Sequence, residues 1–186
     1  MATANGEERR KAARQKYRPK RIRCLLIAEA PRMDDRYFYF EHVPESDWLF
    51  LGVMKALFPR EFRGYNRDPS WKAKLLTDFQ AGGFWLLDAV DAPLMGAPTE
   101  TKRRAEYLWE RSDLMRRIDG LQKKGDIDLR TPIILIKANV YLAFFRPLGT
   151  AGYNVVDEQI PFPSSGRQGE FAFKFPHALS QAGVTP

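Results

Sequence analysis

Three segments of the chain place residues capable of chemistry directly after apolar, strand-like runs. Glu29 follows the run Ile22–Ala28, and Asp88 follows a run of four apolar residues that begins at Phe84. A serine-containing loop, Phe162–Arg167, follows a further short apolar run. Because parallel sheets bind ligands at the carboxyl ends of their strands, these three segments are the first candidates for a functional site.

Each carboxylate has a structural and a chemical interpretation. Glu29 beside a proline turn is either a cap or hydrogen-bond anchor, or a poised acid or base. A carboxylate such as Asp88 in an apolar strand is costly unless it is paired or lies at the strand end. Asp88 therefore either caps the strand or contacts a ligand. The residue types leave both alternatives open.

The loop and an aromatic cluster offer two further kinds of contact. Hydroxyls, a glycine backbone and a guanidinium can grip a phosphate, although a plain surface turn has the same composition. The cluster Tyr37–Phe40 could stack on a base, but four consecutive aromatic residues cannot all face one way, so some must belong to the core. The loop residues concerned are Phe162, Ser164, Ser165, Gly166 and Arg167.

Several site classes are excluded by what the sequence lacks. Cys24 is the only cysteine, which excludes an intrachain disulfide and multi-cysteine metal sites, and its apolar context predicts a core residue. His42 and His177 are far apart and have no ligand spacing. No Gly-x-Ser-x-Gly elbow and no glycine-rich phosphate loop is present. We therefore expect no cofactor and no metal.

Short apolar strands alternating with helices position these segments. Strands are predicted at Ile22–Ala28, Phe84–Val90, Pro132–Lys137 and Tyr153–Val156. This alternation indicates one α/β domain with a parallel sheet. Helices are predicted at Asp47–Phe58, Trp71–Ala81, Thr101–Lys123, Asn139–Phe145 and Pro176–Ala182.

The net charge is concentrated at the N-terminus. The 186 residues hold 30 Lys+Arg and 23 Asp+Glu, a formal charge of +7. Residues 1–23 carry nine basic and two acidic groups, and 9 − 2 accounts for all of it. We expect residues 1–23 to be a flexible basic arm and residues 24–186 to be a neutral single domain. Arg18, Lys20 and Arg21 of the arm would hold phosphates, the alternative being a solvated tail.

No apolar run approaches the roughly 20 residues of a membrane span, and the basic N-terminus lacks the apolar core of a secretory signal. The expected location is cytoplasmic, with no membrane partner.

Three motifs in order resemble the uracil-DNA glycosylase superfamily. Leu25-Leu-Ile-Ala-Glu-Ala-Pro31 is similar to the Gly-Glu-Ala-Pro-Gly motif of its bacterial branches. Gly83-Phe-Trp-Leu-Leu-Asp-Ala-Val90 resembles the strand whose Asn reads the flipped uracil. Phe162-Pro-Ser-Ser165 falls where the family has a His-Pro-Ser type loop. The resemblance covers residues 22 to 183.

The resemblance implies a three-layer α/β/α fold with a short, mostly parallel four-stranded sheet. It implies a DNA-repair hydrolase that acts on a flipped base, with duplex DNA carrying a modified base as partner and a monomer as the working unit. Glu29 would be catalytic, while Asp88 would read the base and an aromatic side chain would stack on it. The implied base-binding residues are Ala30, Pro31, Tyr37, Phe38, Tyr39, Asp88 and Phe162, and the loop Ser164–Arg167 would hold the DNA backbone.

Four departures from the family pattern keep other functions open. Phe162 replaces the loop histidine and cannot stabilise a departing base anion. Asp88 replaces the base-reading Asn, and an ionised carboxylate only accepts hydrogen bonds. The bulkier Arg32 replaces the glycine after Pro31, and the iron–sulfur cysteines of the bacterial branch are absent. The alternatives are a non-catalytic nucleic-acid-binding relative and a pocket protein for a small nucleobase-like ligand.

Overall fold

The computed structural model of the chain describes residues 2–31, 36–42, 47–66, 68–93, 99, 101–102, 107, 111–164 and 166–184, and of residues 2–5 the backbone alone. Ser165 of the predicted loop lies outside the described residues.

A parallel sheet of three strands forms the centre of this described part. The strands are β1 (Cys24–Ala28), β2 (Phe84–Asp88) and β3 (Ile133–Leu135), in the order β2-β1-β3. Leu26 of β1 aligns with Leu86 of β2 and Ile134 of β3. Every residue of the three strands is buried, which explains why these segments are apolar except for Asp88 at the end of β2. The predicted α/β class with a parallel sheet is confirmed.

The described residues form seven helices around this sheet. The predicted and observed ends of a helix agree best where a turn-forming residue follows the helix. Pro147 does not end its helix as predicted, because one missing N–H removes one hydrogen bond while the apolar face of Phe144 and Leu148 stays buried. The helices are α1 (Ala2–Lys16), α2 (Trp48–Leu57), α3 (Pro59–Phe62), α4 (Pro69–Ala81), α5 (Arg111–Lys123), α6 (Ala138–Thr150) and α7 (Gln168–Gln181).

The predicted fourth strand, Tyr153–Val156, is not formed as a strand in the described chain. One isolated bridge, between Ile133 and Val155, joins this segment to β3. A second bridge, between Ile136 and Ile160, lies beyond the ends of both, and the two bridges form no continuous ladder. A four-stranded sheet is therefore not confirmed.

The N-terminal segment differs from the expected flexible arm. Residues 2–16 form α1, and alanine, glutamate, lysine and arginine are all strong helix formers. The segment is anchored on the domain because Tyr17 and Ile22 belong to the hydrophobic core. Tyr17 also donates a hydrogen bond to Glu41, and Arg18 forms an ion pair with Asp126. The expected boundary at residue 24 thus cuts through packed structure.

A buried ion pair joins the start of α2 to α4. Lys72 Nζ lies 2.6 Å from Asp47 Oδ2, and both side chains are almost completely shielded from solvent. The Lys72 ammonium also lies 4.4 Å from the centroid of the Phe50 ring. Burial lowers the pKa of Lys72, while the neighbouring Asp47 opposes that change.

The hydroxyl of Tyr39 substitutes for a neighbouring strand at the outer side of β2. It donates to the Leu86 carbonyl at 3.1 Å and accepts from the Leu86 amide at 2.8 Å. Tyr39 is only 1% exposed, so water cannot replace these bonds. Both backbone groups of Leu86 are satisfied by one phenol.

We expect Tyr39→Phe to lower the free energy of unfolding by at least about 2 kcal/mol, since two buried groups lose their partner and each costs about 1–3 kcal/mol when unpaired. Urea unfolding of the purified protein measures the change. Tyr141→Phe is the matched control, because the Tyr141 hydroxyl meets Asp157 at the surface, where water can replace it. Equal losses in the two variants would contradict the role assigned to Tyr39.

Candidate functional site

The strand order places the site predicted from the sequence at the carboxyl ends of the strands. The first crossover connects β1 to β2 on one side, and β3 then pairs on the other side of β1. Such a reversal opens a crevice at the carboxyl end of the central strand, which is where α/β proteins bind ligands. Glu29 follows β1 directly and stands at this point.

Glu29 is held by two donors from different parts of the chain. Lys137, which follows β3, forms an ion pair with Glu29 Oε1. The hydroxyl of buried Tyr107 donates to the same oxygen at 2.7 Å. The side chains of Glu29 and Lys137 are 15% and 17% exposed, so both remain reachable while much of their surface is shielded. The structure therefore places a lysine–carboxylate pair at the switch point.

The backbone of Lys137 has an unusual conformation. With φ at 91°, Lys137 is the single residue other than glycine with a positive φ in the described chain. Its amide donates to the Ile160 carbonyl at 2.8 Å, and its carbonyl accepts from the Tyr141 amide at 3.0 Å. Such a conformation costs about 1–3 kcal/mol in a residue with a side chain, and strain of this kind clusters at functional sites.

Asp88 is the last residue of β2, one strand away from Glu29, and is 6% exposed. Burial raises the pKa of its carboxyl to about 7, with Asp91 adding to the rise. The cations Arg14 and Arg117 and a hydrogen bond from Tyr37 act in the opposite direction. Near neutral pH, Asp88 is therefore distributed between its acid and carboxylate forms.

Two arginines fix the turn that follows Asp88. Arg117 of α5 donates to the carbonyls of Asp88 and Ala89, at 3.0 and 2.9 Å. Arg14 of α1 and Arg117 lie 2.9 and 3.1 Å from the same oxygen of Asp91. The first helix is thus attached to the same turn that presents Asp88.

A cavity of about 120 Å³ lies between α1 and the end of β2. A cavity of about 150 Å³ holds a benzene ring, so this volume is close to that of a single-ring ligand. Its lining is polar and carries both signs of charge. The lining residues are Glu7, Arg10, Lys11 and Arg14 from α1 and Tyr37, Asp88 and Asp91 from the body.

The raised pKa of Asp88 predicts a specific dependence of stability on pH. The folded state keeps a proton on Asp88 up to about pH 7, whereas the ordinary pKa is 3.8. The folded state binds more protons between these values, so this group makes the free energy of unfolding fall as pH rises through that window. In Asp88→Asn this contribution, on the order of 4 kcal/mol for a shift of this size, should be missing.

Urea unfolding at several pH values from 4 to 8 measures this difference between wild type and Asp88→Asn. Asp78→Asn on α4 serves as the control, since its side chain lies at the surface against Lys74. Parallel pH curves for wild type and Asp88→Asn would contradict the assignment.

The aromatic cluster divides between core and cavity. Phe38 and Tyr39 lie in the core, where other rings pack against them, so neither offers an open stacking face. Tyr37 is also buried but lines the cavity beside Asp88. Phe40 is partly exposed, and the Arg9 guanidinium lies 4.4 Å from its ring centroid. Stacking of a base on Phe38 or Tyr39 is inconsistent with their burial.

The remaining predicted base-binding residues surround the first and last motifs. Ala30 is half-buried and Pro31 is buried, immediately after Glu29. Phe162 is half-buried and follows Ile160, which accepts the hydrogen bond from the Lys137 amide. The last predicted loop therefore begins next to the Glu29–Lys137 pair.

The described part of that loop forms a tight turn. The Ser164 amide donates to Phe162, and the Arg167 amide donates to Ser164. Gly166 has φ at 80°, a conformation that favours glycine. The Arg167 side chain is exposed and lies 3.4 Å from Glu170. This arrangement fits a surface contact and also fits the plain turn that the sequence left open.

Arg18, Lys20 and Arg21 lie away from the candidate site. The Arg18 ion pair with Asp126 and the hydrogen bond from Ile22 to the Asp126 carbonyl lie before β1 and β3 begin. In a parallel sheet these contacts lie at the amino ends of the strands, opposite the carboxyl ends where Glu29 and Asp88 lie. Lys20 and Arg21 are exposed in the same segment. Other cations of the N-terminal segment, on α1, reach the candidate site.

Sequence reasoning missed Lys137, Tyr107, Arg14 and Arg117. Lys137 carried a usable signal, because it is a charged residue directly after a buried strand, as Glu29 is. Tyr107 and Arg117 lie in the long crossover before β3, and no local pattern separates them from solvated helix residues. Arg14 was assigned to a mobile arm, so a fixed contact with Asp91 was not expected.

Two negative findings concern the part of the chain that the structure describes. Among these residues, no three His, Cys, Asp or Glu side chains cluster as a metal site would require. None of the helices among them has the length and apolar character needed to cross a membrane.

Burial raises the pKa of the Cys24 thiol to about 12, in agreement with a core residue rather than a nucleophile.

Comparisons with known proteins give no relative. No protein-family model matches the chain. Comparisons with curated proteins and with solved structures also find no match. The resemblance to the uracil-DNA glycosylase superfamily remains a prediction from three short motifs.

Proposed function

We propose that the chain hydrolyses the N-glycosidic bond of a modified base that is flipped out of duplex DNA. The observation that carries the proposal is the buried Asp88 carboxyl in a ring-sized cavity, one strand from the Glu29–Lys137 pair. The finer fold assignment, a three-layer glycosylase-like domain, belongs to the same proposal. It is supported by the three motifs, whose first two lie along the neighbouring parallel strands β1 and β2.

Asp88 supplies base recognition in its protonated form. A neutral carboxyl has one donor and one acceptor, as an amide has, whereas a carboxylate only accepts. With a pKa of about 7, Asp88 can take the form that pairs with a carbonyl and an imide N–H of a base. The replacement of Asn by Asp in this motif is therefore compatible with reading such an edge.

Glu29 and Lys137 supply the charges that glycosidic cleavage requires. As the bond breaks, the sugar becomes cationic and the base becomes anionic. The Glu29 carboxylate would stabilise the cation and take the proton of the attacking water. The Lys137 ammonium would stabilise the anion, a task for which Phe162 in the final loop has no suitable group.

A panel of duplexes carrying uracil, hypoxanthine, xanthine or alkylated bases tests the proposal. The protein is incubated with each duplex, and alkali then converts abasic sites into strand breaks. We expect breaks on at least one modified base and none on the unmodified duplex. Intact strands on every substrate, with protein shown to be folded by its unfolding transition, would overturn the proposal.

The lining of the cavity favours one second candidate, a pocket protein for a small nucleobase-like ligand. Helix α1 contributes four of the seven lining residues, and Asp88 is one of the other three. Titration of free bases followed by calorimetry tests this candidate. Saturable binding of a free base that Asp88→Asn weakens, combined with no excision in the panel, would select it.

A further inference from the structure

Lys137 combines three properties that a purely structural ion pair does not need. It lies at the switch point of the sheet, its ammonium contacts a carboxylate, and its backbone is held at φ 91°. The strain is kept by two backbone hydrogen bonds, from Lys137 to Ile160 and from Tyr141 to Lys137. These bonds fix the direction in which the side chain leaves the backbone.

The surroundings of the ammonium place a possible base in direct contact with the amine. Glu29 Oε1 accepts from Lys137 and from Tyr107, so the carboxylate is fixed at the amine. The lysine side chain is 17% exposed, so it is not sealed inside the protein. A lysine amine that has given up its proton to a base forms an imine with a carbonyl compound.

We propose that Lys137 is the nucleophile of a second activity, cleavage of the DNA strand at abasic sites through an imine with C1′ of the deoxyribose. This activity would act on the product of the proposed base excision, and to that extent it rests on the proposed function. The substrate class is a duplex with an abasic site, whose sugar opens to an aldehyde.

The step balances with water as the one co-reactant. Glu29 takes a proton from the ammonium, and the free Nζ attacks C1′. Glu29 returns the proton to the resulting hydroxyl, which leaves as water, and a C=N bond forms. Glu29, again a carboxylate, takes a proton from C2′, a C2′–C3′ double bond forms, and the C3′–O bond breaks with its electron pair leaving on the phosphate. Water hydrolyses the imine and restores Lys137.

Borohydride trapping on a duplex with a preformed abasic site tests the proposal independently of base excision. Borohydride reduces the imine to a stable amine, so the protein becomes covalently bound to DNA. We expect strand breakage without alkali and a trapped adduct that mass spectrometry maps to Lys137. If the protein excises a base in the panel but gives no adduct and no strand breakage here, the second activity alone is overturned. If it gives the adduct here but excises no base in the panel, base excision alone is overturned.

Three variants separate the nucleophile from a structural role. Lys137→Arg keeps the positive charge toward Glu29 but cannot form the imine, and Lys137→Gly keeps the backbone because glycine adopts φ 91° readily. We expect both to lose the adduct and the strand breakage. Lys174→Met is the matched control, since the Lys174 ammonium also lies between carboxylates, 3.6 Å from both Glu158 and Glu170.

The unfolding midpoint of each variant shows whether it is folded. A trapped adduct in Lys137→Arg, an adduct mapped to another amine, or no adduct with wild-type protein would overturn the proposal. Loss of the adduct in Lys174→Met as well would also overturn it, because basic character alone would then explain the reaction.

Discussion

Glu29→Gln protein should excise the modified base at least about 100-fold more slowly than wild type, the lower end of the range for loss of a general base. The amide matches the carboxylate in shape and can still accept from Tyr107 and Lys137. It carries no charge to stabilise a cationic sugar and does not take a proton from water. The loss should therefore appear in the chemical step, measured by single-turnover kinetics on whichever base the panel shows to be excised.

Glu158→Gln is the control for this experiment. Glu158 also lies beside a lysine, Lys174, and its Oε2 lies 3.0 Å from His177 Nδ1. It is a paired carboxylate of the same type, on the segment that follows β3. Its loss should leave the excision rate unchanged. A Glu29→Gln protein as active as wild type, or equal losses in the two variants, would remove Glu29 from the mechanism.

Asp47→Ala should lower the free energy of unfolding by about 3–5 kcal/mol, because removing one partner leaves the other charge buried and unpaired. The Lys72 ammonium would keep its position against the Phe50 ring and the Tyr37 carbonyl, 3.5 Å away. Neither contact neutralises a charge. Urea unfolding at neutral pH measures the loss.

Two further variants show whether the buried charge is the cause. Asp47→Ala combined with Lys72→Met should recover part of the lost stability, since the unpaired ammonium is then absent. Asp78→Ala is the control within α4, because its exposed pair with Lys74 is worth about 0.3–0.5 kcal/mol. A double variant less stable than Asp47→Ala alone would contradict this explanation.

The sheet was predictable because buried parallel strands consist mostly of consecutive apolar residues. The segments at 24–28, 84–87 and 133–135 are unbroken apolar runs, and all of them lie in strands. The segment at 153–156 contains the polar Asn154, and it meets β3 at one isolated bridge, between Ile133 and Val155. Local composition does not reveal that the pairing is limited to this bridge.

The candidate site was predictable only where it lies on the strands. Glu29 and Asp88 could be found because a carboxylate at the end of an apolar run stands out. Except for Lys137, their partners lie outside the strands on distant parts of the chain, where a polar residue resembles any solvated one. The placement of α1 illustrates this limit, because its composition predicts solvation while the contact between Arg14 and Asp91 depends on tertiary structure.

The hydroxyl of Tyr39 has a consequence for how the molecule behaves among its copies. In the described sheet β2 is an outer strand, and such strands offer unpaired amides and carbonyls to any chain that can add alongside. Tyr39 occupies both groups of Leu86, at the middle of a five-residue strand. The Tyr39 hydroxyl thus blocks the addition of a strand from another copy of the protein. Removal of this hydroxyl should make the folded protein more prone to aggregate as the protein concentration rises.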